Sequence, residues 1–134
     1  MRYMLDTNIV SDLVRNPRGP VTQRIRDLGE AQVCTSVIVS AELLFGARKR
    51  GSAKLSAQLE AVLGALPVLS FEPPADVIYA RLRTRLESLG RPIGGNDLLI
   101  GSHALVSGCT LVTDHEREFG RIQDLSIENW LRGG

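Results

Sequence analysis

The sequence predicts an α/β fold in which a central parallel sheet carries helices on both faces. Two observations lead there. Short apolar runs rich in Val, Ile, Leu and Thr recur along the chain, each too brief for a helix. Between them lie longer stretches with apolar residues at three- and four-residue spacing, so strands alternate with helices and right-handed crossovers follow. A third feature concerns function: polar and acidic residues close several of the strand-like runs. In a sheet of this kind the carboxyl ends of the strands form the ligand-binding edge.

The first run, Tyr3-Met4-Leu5, stops at Asp6-Thr7-Asn8, and Ile9, Val10, Leu13 and Val14 then start a helical period. Asp6 reads as a helix cap or as a first ligand for a hard cation. Asn16 to Pro20 is a turn cluster, and Val21, Ile25 and Leu28 mark a helix over 21–29. Residues 32–35 form the second strand, with Ser36 as N-cap of a helix over 37–49. That helix is apolar nearly all round and is expected to be buried. Glu42 is its one charge before Arg48, and Val39, Phe45, Ile38 and Gly46 around it neutralise nothing. A buried carboxylate needs compensation, so a distant arginine or a bound metal is implied.

Leu55, Leu59, Val62 and Leu63 define a helix over 53–65, and residues 67–71 a third strand. Pro73-Pro74 opens a helix running to Leu89, proline being tolerated in a first turn. Arg81, Arg83 and Arg85 give it either a solvated face or a track for a phosphate backbone. A loop over 90–95 leads to Asn96-Asp97 and a strongly apolar helix ended by Gly108. Asp97 stands near the start of that helix, where a carboxylate also suits the dipole. Residues 110–113 form a fourth strand closing on Asp114, and a last strand is expected near residues 125–127, before Trp130. No internal repeat or linker divides the 134 residues, which fit one domain.

Composition narrows the class. Hydrophobic residues make up 43% of the chain and mean hydropathy is near zero, as in a globular protein. No run of eighteen apolar residues exists and no leader precedes the first strand, which predicts a cytoplasmic protein without a membrane span. Cys34 and Cys109 are too few for a disulfide framework or zinc site and are expected in the core. The net charge of +1 carries no global nucleic-acid signature, although 14 of the 16 basic residues are arginine, the better phosphate ligand.

In the expected topology Asp6 and Asp114 end strands one and four, and Glu42 lies two turns into the helix leaving strand two. The loop over 90–96 brings Asp97 to the same edge. Carboxylates gathered this way repel one another, and Mg²⁺ or Mn²⁺ removes that cost. Thr7, Asn8, Ser36 and Thr113 stand close enough in sequence to orient such ligands. A carboxylate-bound divalent ion is a common device for phosphodiester cleavage. It requires no histidine, and His103 and His115 read as helix or surface residues. A phosphoryl-accepting receiver would need a lysine near the last strand, but the final lysine is Lys54. An aspartyl phosphatase would need an acid where Asn8 stands.

The chain resembles the PIN-domain ribonucleases, and more closely the VapC-type toxins of bacterial toxin–antitoxin pairs. The matching stretches are Met4-Leu5-Asp6-Thr7-Asn8, Ser40 to Ala47, Asn96-Asp97-Leu98-Leu99-Ile100, and Leu111 to Asp114 continuing to Glu118-Phe119. The resemblance implies strand order 3-2-1-4-5 and an Mg²⁺- or Mn²⁺-dependent endoribonuclease acting on structured RNA, tRNA among its substrates. It further implies a homodimer and a small VapB-type antitoxin that blocks the site, operator DNA being contacted only through that complex. Asp6, Glu42 and Asp97 carry over directly as catalytic and metal-binding residues. Relatives often read Thr-Asn-Asn where this chain has Thr113-Asp114-His115. The fourth acid is therefore Asp114, which is favoured, or Glu118 one turn later. The competing expectation is a PIN-fold module that binds RNA or a partner without cutting.

Overall fold

The computed structural model describes residues 2–132. In chain order the elements are β1 (Tyr3–Leu5), α1 (Thr7–Arg15), α2 (Pro20–Leu28), a 3₁₀ turn (Glu30–Gln32), β2 (Val33–Ser36), α3 (Val37–Arg50), α4 (Ala53–Ala65), β3 (Val68–Leu69), α5 (Ala75–Ser88), α6 (Gly95–Val106), β4 (Thr110–Val112), α7 (Glu116–Phe119) and β5 (Ile127–Glu128). The sheet order is β3-β2-β1-β4-β5, the order that the resemblance implies, and every neighbouring pair is parallel. The third strand is shorter than the run over 67–71 suggested, because pairing with β2 covers only Val68 and Leu69.

β1 lies in the middle, with Leu5 in register with Thr35 on one side and Val112 on the other. A central strand of a two-sided sheet must be apolar throughout, and Met4, Leu5, Leu111 and Val112 are fully buried. The chain builds leftward from β1 to β3 and then crosses to β4, so the direction of winding reverses between β1 and β4. Beyond the carboxyl ends of those two strands a crevice opens, as doubly wound sheets require.

α6 seals one side of that crevice. A Cβ on Gly101 would stand 2.5 Å from Ile122 Cδ1 and 3.4 Å from the Phe119 ring, so glycine is what lets the helix approach the segment after β4. Cys34 and Cys109 are both buried, as expected, with their sulfurs 3.9 Å apart.

The expectation that α3 is buried all round is corrected. Val39 and Ala47 are its fully buried members, whereas Phe45 is 67% exposed and Leu44 and Val37 are also open. One stripe of the helix packs on the sheet and on α4, and its opposite stripe stays apolar without a covering element among the described residues. Ser36 caps α3, its Oγ accepting from the Ile38 amide, and the same hydroxyl lies 2.7 Å from Nδ1 of buried His103. Of the α5 arginines, Arg83 lies on an exposed face and pairs with Glu87. Among the described residues no helix is long and apolar enough to cross a membrane.

Candidate active site

Asp6 follows the last residue of β1, and its surroundings give it two tasks. Its Oδ1 accepts from the Thr7 amide at 2.8 Å and so caps α1, while its main-chain oxygen accepts from Ile9 and Val10. Its Oδ2 accepts from Thr113 Oγ1 at 2.7 Å, across the gap between the ends of β1 and β4. The Thr113 hydroxyl is itself held by the His115 amide at 2.9 Å. Asp6 is 1% exposed, and burial raises its pKa above the usual carboxylate range. The Thr113 and Thr7 bonds oppose that rise, the charge of Asp97 adds to it, and His115 lowers it.

Asp97 occupies the first turn of α6, where the helix dipole favours a negative charge. Burial nevertheless raises its pKa; His115 counters this, and Glu42 and Glu118 push it further up. Its Oδ2 lies 3.5 Å from His115 Nδ1. Glu42, half-buried on α3, is held by two uncharged donors: Thr7 Oγ1 at 2.8 Å to Oε1 and Asn96 Nδ2 at 3.1 Å to Oε2. The Thr7 side chain thus links the cap of α1 to the acid of α3.

Asp6, Glu42, Asp97 and Glu118 therefore share one electrostatic neighbourhood. Asp114 does not stand among the charges acting on Asp6 or Asp97. Its side chain is exposed and Oδ1 accepts from Asn129 Nδ2 at 2.9 Å. The chain bends after β4, so Asp114 reaches Asn129 of the C-terminal segment, while Glu118 of α7 comes near enough for its charge to act on Asp97. Ser36, expected to orient ligands, spends its hydroxyl on the α3 cap and on His103. Asn8 reaches the site indirectly, its Nδ2 lying 2.9 Å from His115 Nε2.

Sequence reasoning missed His115, which bridges Asn8 and Asp97, and gave Asn96 no role of its own. No local signal marked His115, because it lies beyond β4, where strand alternation no longer fixes the direction of a side chain.

Two observations define what the cluster can do. Among the described residues no lysine or arginine pairs with Asp6, Glu42, Asp97 or Glu118, so their charge lacks a strong internal counterion. Among the described residues no three acidic, histidine or cysteine side chains are drawn close enough to hold an ion as they stand. A set dominated by oxygen donors and short of positive charge, with Asp6 and Asp97 raised in pKa, fits a hard divalent cation.

The comparisons with known proteins agree with this geometry. A family model described as PIN domain matches residues 3–125. Ribonuclease VapC2 of Rickettsia felis is 38% identical over 132 residues, covering 97% of this chain and 98% of that protein. The tRNA(fMet)-specific endonuclease VapC of Shigella flexneri is 32% identical over 131 residues, covering 97% and 98%. A crystal structure of VapBC2 from Rickettsia felis, bound to a DNA fragment from its promoter, matches with a TM-score of 0.88 at 37% identity and covers 97% of this chain and 99% of that one. With its strand order, its acidic crevice and relatives of nearly the same length, the chain belongs to the PIN-domain family and groups there with the VapC ribonucleases.

Proposed function

We propose that this protein is a cytoplasmic endoribonuclease toxin that hydrolyses phosphodiester bonds of structured RNA with the help of Mg²⁺ or Mn²⁺. The observation that carries the reading is the pair of carboxylates with raised pKa at the switch-point crevice, buried Asp6 and half-buried Asp97, the second adding to the rise of the first and neither with an arginine or lysine partner among the described residues. Asp6, Glu42 and Asp97 would hold the cation. Glu118 completes the set in preference to Asp114, because its charge acts on Asp97 while Asp114 is engaged with Asn129. When bound, the ion supplies a more acidic water nucleophile and stabilises charge on the leaving oxygen.

The chain's own groups keep the ligands in place. Thr113 and the Thr7 amide clamp both oxygens of Asp6, and Thr7 with Asn96 clamps both oxygens of Glu42. Rigid placement of this kind lowers the reorganisation needed when substrate arrives. From Glu42 and Thr7 a groove of about 230 Å³ runs between α1, α3 and α4 toward Arg15 and Arg50. Those guanidinium groups suit an RNA phosphate or an acidic partner segment. The names of the relatives support tRNA as substrate class and a VapB-type partner whose complex with the toxin binds promoter DNA; inhibition by that partner, and contact with operator DNA only through it, complete the proposal. The uncovered apolar residues Leu44 and Phe45 of α3 and Val77 of α5 support a homodimer.

The decisive experiment uses protein purified free of inhibitor, incubated with total RNA and Mg²⁺ or Mn²⁺, with new 5′ ends mapped. Discrete cleavage that stops in excess chelator is expected. Cleavage that persists in chelator overturns the role of the cation. Tight RNA binding with no cutting at any Mn²⁺ concentration identifies the protein as a non-catalytic module on the same fold.

A further inference from the structure

We propose that His115 is an additional ligand of the cation through Nδ1, oriented by Asn8, and that this nitrogen makes the site prefer Mn²⁺ to Mg²⁺. The inference rests on the cation-dependent reading above and goes beyond it by assigning a non-carboxylate donor. Nδ1 stands 3.5 Å from Asp97 Oδ2. Two donors at right angles on one small divalent ion are separated by about 3 Å, given bonds near 2.1 Å. A movement of a few tenths of an ångström therefore brings both to one ion. The ring is 45% exposed on its side-chain atoms, which leaves it room for a shift of that size.

The other ring nitrogen has the partner that such a ligand needs. Metal-bound histidines are held by a hydrogen bond at the second nitrogen, which fixes both ring and tautomer. Here Nε2 lies 2.9 Å from the Asn8 amide group. Without an ion, Asn8 Nδ2–H donates to Nε2, which leaves the proton on Nδ1 facing Asp97. With an ion on Nδ1 the proton sits on Nε2, and a half-turn of the Asn8 amide presents Oδ1 as its acceptor. The two atoms exchange places at little cost.

Chemistry sets the preference. Both ions suit oxygen donors, but Mg²⁺ demands near-ideal octahedral geometry and holds its waters, whereas Mn²⁺, the first member of the transition-metal affinity series, accepts one imidazole nitrogen among oxygens more readily. The remaining histidine cannot substitute, since His103 is buried against Ser36 and the Phe71 ring.

The test is pulsed electron paramagnetic resonance of untagged protein loaded with one equivalent of Mn²⁺, together with calorimetric titration of Mn²⁺ and Mg²⁺. Wild type is expected to show a ¹⁴N modulation on the manganese signal that His115→Ala lacks. The same substitution should weaken Mn²⁺ by at least about tenfold, and Asn8→Ala by a comparable factor with the ¹⁴N signal retained. Mg²⁺ affinity should move less than about threefold on losing a donor of the wrong type. Manganese bound to wild type without ¹⁴N modulation overturns the proposal and leaves the carboxylate site intact. Manganese that does not bind, or binds equally well to Asp97→Asn, removes the cation reading itself and this inference with it.

Discussion

Thr113 Oγ1 donates to Asp6 Oδ2 at 2.7 Å, joining the ends of β1 and β4 across 107 residues of chain. Both groups are buried, so this hydrogen bond is shielded from water. Thr113→Val would leave the buried Asp6 oxygen without its donor while keeping the side-chain shape. The fold should lose about 1–3 kcal/mol, the usual cost of orphaning a buried polar group. Urea unfolding checks this, and Thr113→Ser should restore most of the loss. An unchanged midpoint for the valine variant would mean that the bond is not maintained in solution.

Asp6→Asn should abolish cleavage and stabilise the metal-free protein. Burial raises the folded-state pKa of Asp6 above its unfolded value. The fold is therefore most favoured below the unfolded pKa, where the acid is protonated in both states, and that advantage is lost as pH rises through the folded value. At neutral pH the charge works against folding. Asparagine caps a helix as well as aspartate does, and it removes the charge. A gain of about 1 kcal/mol would lift the melting temperature by roughly 3 °C. A lower melting temperature in chelator would show that the Thr7 and Thr113 bonds outweigh the burial cost.

The pH dependence of stability should carry a contribution of opposite sign from His103. Burial depresses its pKa below the ordinary 6.5, although a bond to the Ser70 backbone opposes this. The unfolded chain then takes up a proton first as pH falls. His103 contributes its full stability above 6.5 and loses it progressively toward its lower folded value. His103→Asn keeps an acceptor for Ser36 and cannot titrate. Unfolding free energies measured from pH 8 to 5 should fall more steeply for wild type than for this variant. Parallel curves would place a protonated ring in the fold.

Glu118 and Asp114 are separated by their effect on cleavage. Glu118→Gln should reduce kcat/KM by about tenfold or more, roughly 1.4 kcal/mol of transition-state stabilisation. Asp114→Asn should stay within about threefold, as for an exposed residue outside the site. The reverse ranking would return the fourth acid to the strand end.

Much of this architecture was legible because periodicity and burial are strongly coupled here. Met4-Leu5 and Leu111-Val112 read as buried strands and are buried strands. Asp6 was recognisable because an acid directly after a central strand must either cap or bind, and it caps α1 while keeping its place at the crevice. Asp97 was legible for the related reason that a charge opening an apolar helix must face a cleft. Local sequence was insufficient where a side chain's direction depends on a turn. Nothing in Thr113-Asp114-His115 states that the first and third residues face the crevice while the second meets Asn129. The open stripe of α3 was missed because apolar periodicity reports what avoids water, without distinguishing this chain's core from a surface for another chain.

The place of β4 in the sheet has a consequence for synthesis. Asp6 and Glu42 leave the ribosome early, but the strand that steadies Asp6 begins only at Thr110, and the helix bearing Asp97 precedes it by a few residues. An interrupted translation product ending before that point has half a crevice and an unpaired flank on its middle strand. On the proposed function such fragments are expected to spare RNA, so that the activity arises only once translation of the chain is nearly finished.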